Sequence, residues 1–165
     1  AEGHYHAFLT HDWGVDELGR SNHETVSLIN NALKAAGVVT WFDEDRLEGN
    51  IVDQMTRGID HSSVVIVFIT RNYIDKVAGS NLCDNCKKEF QYASQRKPGR
   101  LIPVPMEPQT CDTRTWRGPV GMELNALLYK ANFSEGHSGH DPGFHAQVRA
   151  LYREVVRLCS AAPPS

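Results

Sequence analysis

Apolar residues recur along the chain at the spacing of one helix face, in segments that alternate with short, densely apolar runs. The first helical segment opens where Ser21 and Glu24 form an S-x-x-E capping box, which places the helix start near Asn22. It closes at Gly37, a common C-terminal stop. Its apolar stripe, which should cover one face of a sheet, consists of Val26, Ile29, Leu33 and Ala36.

Three later segments show the same helical spacing. The second follows Asn50, the third follows Asp84 and stops at Pro98, and the last opens with Asp141 and Pro142 as N-cap and N1. The asparagine and the aspartates are good N-cap residues, so each segment is predicted to be a helix. The apolar faces are Val52, Met55 and Ile59; Cys86, Phe90 and Ala93; and Phe144, Val148, Leu151, Val155 and Leu158.

Five short apolar runs lie between and beside these helices. Residues 63–70 lack polar alternation, which is typical of a strand covered on both faces of a parallel sheet, so this run is predicted to be central. In the run 101–106, Pro103 and Pro105 have the same parity and put both missing N–H donors on one edge. The neighbour at that edge should be weakly bonded. The other runs are 5–10, 38–42 and 127–133.

The alternation of strands and helices predicts an α/β fold. Its most economical form is a five-stranded parallel sheet in the order 2-1-3-4-5, doubly wound, with helices on both faces. Ligands bind such sheets outside the carboxyl ends of the strands, where the winding reverses between strands one and three. The segments of interest are therefore 11–14 after strand one, 43–49 after strand two, and 82–90, which a predicted long loop connects to strand three.

Composition fits a single domain able to bury a core, with 165 residues, 41% apolar and 22% charged. We expect the domain to span 5–160, between tails at 1–4 and 161–165, and the missing initiator Met suggests a domain excised from a longer protein. A net charge of -3 and a pI near 6.2 give no reason to expect nucleic acid. No apolar run is long enough to span a membrane, which favours a cytoplasmic location.

The stretch LCDNCKKEF, residues 82–90, raises three possible chemistries. Cys83 and Cys86 have the spacing of half a zinc site, but no second pair follows, and the histidines 137, 140 and 145 have no cysteine nearby. A redox pair would normally sit in a thioredoxin-like topology, which differs from this one. The favoured interpretation makes Cys86 a core residue and Asp84 the N-cap, with no metal and no cofactor.

Several segments together resemble Toll/interleukin-1 receptor (TIR) domains. YHAFLTHDW is similar to the first conserved box of that family, and WFDEDRLEGN is similar to its BB loop. SSVVIVFITRNY with CDNCKKEF resembles the third strand and the helix after it, and the resemblance continues through RLIPVPME. It covers about residues 5–133, and it implies a flavodoxin-like architecture. The third family box, an aromatic pair near the last helix, is not evident.

TIR domains divide into assembly modules and enzymes that cleave the nicotinamide–ribose bond of NAD. The enzymatic branch, which includes an animal axon-degeneration enzyme, plant immune receptors and bacterial defence proteins, carries a glutamate in the helix after strand three. Glu89 matches that position, and adaptor TIRs generally lack it. A carboxylate beside the ribose can stabilise an oxocarbenium-like transition state. Nicotinamide leaves as a neutral molecule, so one carboxylate suffices. The resemblance thus implies that Glu89 is catalytic.

Other site residues are expected from the same loops. Trp13 could stack on the nicotinamide or adenine ring, and His11 and Asp12 stand where some family enzymes have basic residues. Asn85 replaces a tryptophan that some carry four positions before the glutamate. In the BB loop, Asp43 and Glu48 match acidic family positions, as substrate contacts or loop supports. Residues matching elements of BB-loop conformation and self-association are Arg46, Leu47 and Gly49.

The sequence therefore predicts a TIR-type hydrolase that converts NAD, as substrate, to nicotinamide and ADP-ribose or a cyclic isomer. Its expected partners are NAD and further copies of the same domain, because enzymes it resembles act when self-assembled in immune or cell-death signalling. Two alternatives stay open. One is a non-catalytic signalling or adaptor module that works through TIR:TIR contacts. The other is an enzyme like the nucleoside deoxyribosyltransferases, which use a glutamate as covalent nucleophile.

Overall fold

The computed structural model describes residues 4–42, 51–135 and 140–161, and in them four parallel strands form one sheet in the order β2-β1-β3-β4. The strands are β1 (Tyr5–Thr10), β2 (Thr40–Trp41), β3 (Ser62–Ile69) and β4 (Leu101–Pro105). Ala7 pairs with Thr40 on one side and with Val64 on the other. The predicted order 2-1-3-4 is confirmed, and the winding reverses between β1 and β3.

Six α-helices cover the two faces of the sheet within the described residues. Three of the four caps predicted from sequence form, since the side chains of Ser21, Asp84 and Asp141 each accept a backbone N–H of the helix that follows. The fourth predicted cap, Asn50, lies outside the described residues. Gly37 follows the first helix with a φ of 96°, a conformation that glycine adopts readily. The helices are α1 (Asn22–Ala35), α2 (Ile51–Asp60), α3 (Arg71–Ala78), α4 (Asn85–Arg96), α5 (Gly118–Leu124) and α6 (Pro142–Ser160).

Strand β3 is buried on both faces, as its uninterrupted apolar sequence predicts. The alternating side chains of Val64, Ile66 and Phe68 pack in a core layer with α1 and α6. Those of Val65, Val67 and Ile69 pack in a second layer with α2, α3, α4 and α5. Among the described helices, none has the length and apolar character needed to cross a membrane.

The fifth predicted strand, 127–133, is absent from the sheet that the described residues form. The backbone N–H and C=O groups of the even-numbered residues in and beside β4 point toward β3, as the hydrogen bond from Met106 N to Ile69 O (3.0 Å) shows. The backbone groups of the odd-numbered residues point to the outer edge of the sheet, where Pro103 and Pro105 have no N–H to donate. Within the described residues, one backbone hydrogen bond, from Phe133 N to Pro105 O at 2.9 Å, joins the segment to this edge. The prediction of a weakly bonded outer edge is confirmed, but the prediction of a strand beside that edge is wrong.

Other differences from the sequence prediction are local. The segment predicted as a long loop after β3 contains α3, which Thr70 caps by accepting a hydrogen bond from Tyr73 N at 3.1 Å. Strand β2 is limited to Thr40–Trp41, which is shorter than the predicted 38–42. Val52 was predicted on the buried face of α2, yet it is exposed while Met55 and Ile59 are buried.

Candidate functional site

Glu89 lies on the flank of α4, near the carboxyl end of β1. The apolar stripe of α4, formed by Cys86, Phe90 and Ala93, is buried and fixes the helix against the rest of the domain. Glu89, on the flank of that stripe, is half-buried. Its Oε2 accepts a hydrogen bond of 2.5 Å from the Thr10 hydroxyl. The fold therefore places a carboxylate where the winding of the sheet reverses, the location at which such sheets bind ligands.

A second hydroxyl extends this contact into the core. The Thr10 hydroxyl also lies 3.0 Å from the Tyr73 hydroxyl, and both side chains are fully buried. Thr10 ends β1 and Tyr73 lies in α3, directly after β3. Three elements thus meet at Glu89 through two hydrogen bonds.

The two cysteines of the C-x-x-C stretch have different environments. Cys86 is buried, and its thiol donates to the backbone oxygen of His11 at 3.5 Å. Burial, followed by the nearby Glu89, raises the pKa of this thiol well above its usual value. Cys83 is exposed. A thiol that stays protonated is a poor redox nucleophile or metal ligand, so this geometry favours the packing role for Cys86.

No three His, Cys, Asp or Glu side chains in the described segments are grouped as metal ligands. His137, one of the three histidines of the loose group, lies outside those segments.

Asp12, predicted to contact substrate, is buried and anchors the loop that follows β1. Its carboxylate pairs with the ammonium of Lys76 and accepts hydrogen bonds from Gly14 N at 3.0 Å and Asn22 Nδ2 at 3.2 Å. Burial favours the neutral acid, but the hydrogen bond and charge of Lys76 outweigh it, so the pKa of Asp12 lies below its ordinary value. These contacts tie the loop to α1 and α3 and favour a structural role for Asp12.

Trp13, His11, His23 and Phe42 form an aromatic cluster beside this anchor. The rings of Trp13 and His23 stack with centroids 3.8 Å apart, and Nε2 of His11 lies 2.8 Å from Nδ1 of His23. Phe42 stacks at 5.3 Å from His11. Burial, helped by His23, lowers the pKa of His11 to about 3, although Asp12 opposes the shift. His11 is therefore a buried neutral ring, while Trp13 is half-exposed with one face against His23.

The remaining predicted site residues fall into two groups. Asn85 is exposed at the start of α4, one turn before Glu89, and its contact with substrate stays a prediction. The BB-loop residues lie outside the described part of the chain: Asp43, Arg46, Leu47, Glu48 and Gly49.

Thr10, Tyr73, Lys76 and His23 contribute to the site but were not singled out from the sequence. Thr10 is the last residue of a predicted strand, which is a signal for a position at the carboxyl edge. Tyr73 and Lys76 belong to α3, which was mistaken for loop. Tyr73 and Lys76 were therefore not singled out, because α3 was not predicted.

A separate cavity of about 250 Å³ lies at the same end of the sheet, beside α3. Its lining includes Arg71, Asp75, Arg117 and Thr110, but Glu89 is not among the lining residues. Asp75 pairs with Arg117 there. The cavity is therefore distinct from the environment of Glu89.

The chain belongs to the TIR domain family, since the family model matches residues 16–147. It is accordingly an α/β domain of a family that acts in signal transduction. The chain has no significant match among curated proteins.

Two solved structures of a metazoan TIR-STING receptor from C. gigas are similar to this chain. The receptor in complex with 2',3'-cGAMP is 20% identical, with a TM-score of 0.56 over 90% of this chain and 39% of that chain. The other receptor structure is 17% identical, with a TM-score of 0.59 over 98% of this chain and 41% of that chain. This chain therefore spans about two fifths of the receptor chains. Likeness at this identity shows the fold alone.

The TIR domains of the activated Roq1 resistosome, solved with the pathogen effector XopQ, are a weaker match. They are 16% identical, with a TM-score of 0.49 over 96% of this chain and 86% of that chain.

Proposed function

We propose that this TIR domain is an NAD glycohydrolase that cleaves the bond between nicotinamide and ribose. The observation that carries the proposal is the position of Glu89, a half-buried carboxylate held by Thr10 at 2.5 Å beside the reversal point of the sheet. Its sequence position matches the glutamate of NAD-cleaving TIR domains. The products are nicotinamide and ADP-ribose, or a cyclic isomer of ADP-ribose.

The proposed reaction requires little from the protein beyond a negative charge placed beside the ribose. As the N-glycosidic bond breaks, positive charge develops on the ribose, and the carboxylate of Glu89 stabilises it or orients the ribose hydroxyls. Nicotinamide carries off the bonding electrons and leaves neutral, so no general acid is required. Water then adds to the ribose carbon and releases a proton. Attack by an adenine nitrogen instead gives the cyclic product.

Trp13 supports the proposal as a platform for an aromatic ring of NAD. It is half-exposed and stacked on His23, so its orientation is fixed before a ligand arrives. A rigid aromatic surface binds a planar ring at low entropic cost. Asn85, which is exposed in the same region, is a candidate contact of the substrate, whereas the buried His11 and Asp12 support the loop that carries Trp13.

Self-association is the second part of the proposal. The BB loop of a neighbouring copy is proposed to complete the site, so the specific activity should rise with protein concentration. The biological setting that we propose is immune or cell-death signalling, in which assembly switches on NAD cleavage.

The test is an assay of nicotinamide release from NAD over a wide range of protein concentrations, with and without a crowding agent. We expect release that rises more steeply than in proportion to protein, and that Glu89→Ala abolishes. Glu123→Gln, which changes an exposed glutamate on α5, is the matched control and should retain wild-type activity. No nicotinamide under any condition would favour the adaptor module. Base exchange on nucleosides without NAD cleavage would favour the transferase.

A further inference from the structure

We propose that Thr10 and Tyr73 are positioning residues for Glu89, forming a one-directional hydrogen-bond relay that holds its carboxylate in the orientation and ionisation state that the reaction needs. The proposal rests on the proposed function, because it assigns these two hydroxyls a role in the same site.

The direction of the relay follows from counting protons. The Thr10 hydroxyl has one proton, and it donates that proton to Oε2 of Glu89 at 2.5 Å. Thr10 then has only lone pairs to offer Tyr73, whose hydroxyl lies 3.0 Å away. Tyr73 must therefore donate to Thr10. With Glu89 ionised, both O–H dipoles point their positive ends toward the carboxylate.

The environment keeps this direction fixed. Tyr73 is fully buried and packs edge-on against Phe90, the residue after Glu89, with ring centroids 6.3 Å apart. Burial, followed by the nearby Cys86, raises the pKa of Tyr73 well above its ordinary value, so its phenol stays a donor. Both hydroxyls are shielded from solvent, and reversing the direction of the two hydrogen bonds would require a proton on Glu89.

Two consequences follow for the carboxylate. Its Oε2 is held by a short, charge-assisted bond, which restricts rotation of the carboxylate. The donated bond also favours the ionised form over the neutral acid. Both effects serve a group that must present negative charge to a developing cation. Other charged or titratable groups near Tyr73 and Cys86 include Asp12, Lys76 and Asp84.

Three substitutions separate a relay from mere packing. Thr10→Val keeps the volume and removes the donor to Glu89, whereas Thr10→Ser keeps the hydroxyl and serves as the rescue control. Tyr73→Phe removes a single oxygen at the far end of the relay. Because this last change is the mildest for folding, it keeps the proposal testable if Thr10→Val does not fold.

In steady-state NAD cleavage, Thr10→Val should lower kcat about 10- to 100-fold, since a hydrogen bond to a charged group is lost. Tyr73→Phe should lower kcat about 2- to 10-fold, because it acts only by polarising Thr10. KM should change less than about 3-fold in both, and Thr10→Ser should stay within about 3-fold of wild type. The acid limb of the pH–kcat profile should move to higher pH in Thr10→Val. A fall in stability alone would leave that limb in place.

A second readout needs no catalysis. In protein labelled with ¹³C at the glutamate carboxyls, the Glu89 signal, assigned through Glu89→Gln, should titrate at higher pH in Thr10→Val than in wild type or Thr10→Ser. If the Glu89 signal titrates at higher pH in Thr10→Val but neither wild type nor any variant cleaves NAD, the result would support the relay and contradict the proposed function. Cleavage with unchanged kcat and an unchanged Glu89 titration in both Thr10→Val and Tyr73→Phe would overturn the relay and leave the proposed function standing.

Discussion

His11 shows how a single buried side chain couples this domain to pH. It is neutral when folded, because burial and His23 lower its pKa to about 3, whereas an unfolded histidine titrates near 6.5. Between these two values the unfolded chain holds a proton that the folded protein lacks. The free energy of unfolding therefore falls as pH drops through this window, by up to about 1.4 kcal/mol per pH unit from this residue.

Replacing His11 by phenylalanine should make that slope shallower between pH 6 and pH 4, by up to about 1.4 kcal/mol per unit. The ring stays in the aromatic cluster, but nothing on it can be protonated. Loss of the 2.8 Å bond to His23 should cost about 1 kcal/mol at pH 7. Urea unfolding at pH 7, 6, 5 and 4 measures both effects. His145→Gln, on the exposed part of α6, is the control, and parallel slopes in wild type and His11→Phe would show that His11 does not cause the pH dependence.

Individual residues of the site differed in how well the sequence indicated them. Glu89 could be located because a helix flank and a family motif converge on one position. The contact of Thr10 with Tyr73 could not, because 63 residues separate the two along the chain. Only folding brings the end of β1 beside the start of α3, and no local pattern encodes that distance.

At the scale of elements, Glu107 joins three segments at the carboxyl edge of the sheet. It follows β4 and is buried, and its carboxylate accepts the backbone N–H of Glu17 at 2.6 Å and that of Arg71. The loop after β1 and the start of α3 are thus tied to β4 through one side chain. Loops and helix ends that carry functional residues stay in register because such buried acceptors hold them.

Glu107→Gln should lower the free energy of unfolding by about 1–3 kcal/mol, because an amide NH₂ replaces one of two acceptor oxygens and faces a backbone donor. Glu17→Gln is the matched control. Glu17 is exposed and accepts from Gln109 N at 3.2 Å, so its replacement should cost under about 0.5 kcal/mol. Chemical denaturation compares the two. Equal effects of both substitutions would show that Glu107 does not join the segments.

The elements themselves were predictable to different degrees. Capping residues and apolar stripes indicated α1, α4 and α6, because those signals are local. The eight-residue α3 escaped notice, since its cap Thr70 ends an apolar strand and its stripe is short. The segment 127–133 has the composition of a strand, but the proline edge of β4 offers it few partners. Whether the segment forms a strand depends on hydrogen bonding to its neighbour, and the composition of the segment does not reveal this.

At the scale of the whole molecule, the order of strands could be predicted because uninterrupted apolar character marks β3 as central. Its side chains alternate between two core layers, so the fold is wrapped on both faces and the reversal between β1 and β3 follows. That reversal point is where Glu89 lies. The location of the candidate site thus follows from the architecture, while the proposed chemistry depends on Glu89, which Thr10 contacts directly and Tyr73 contacts through Thr10.

We propose that the charge of Glu89 stabilises the transition state of NAD cleavage. The most direct test is kcat for nicotinamide release by Glu89→Gln, measured at saturating NAD and at a protein concentration where wild type is fully active. The substitution keeps the shape and removes the charge. We expect a fall in kcat of at least about 100-fold, with KM within about 3-fold of wild type. Equal kcat values, with wild type active, would contradict it.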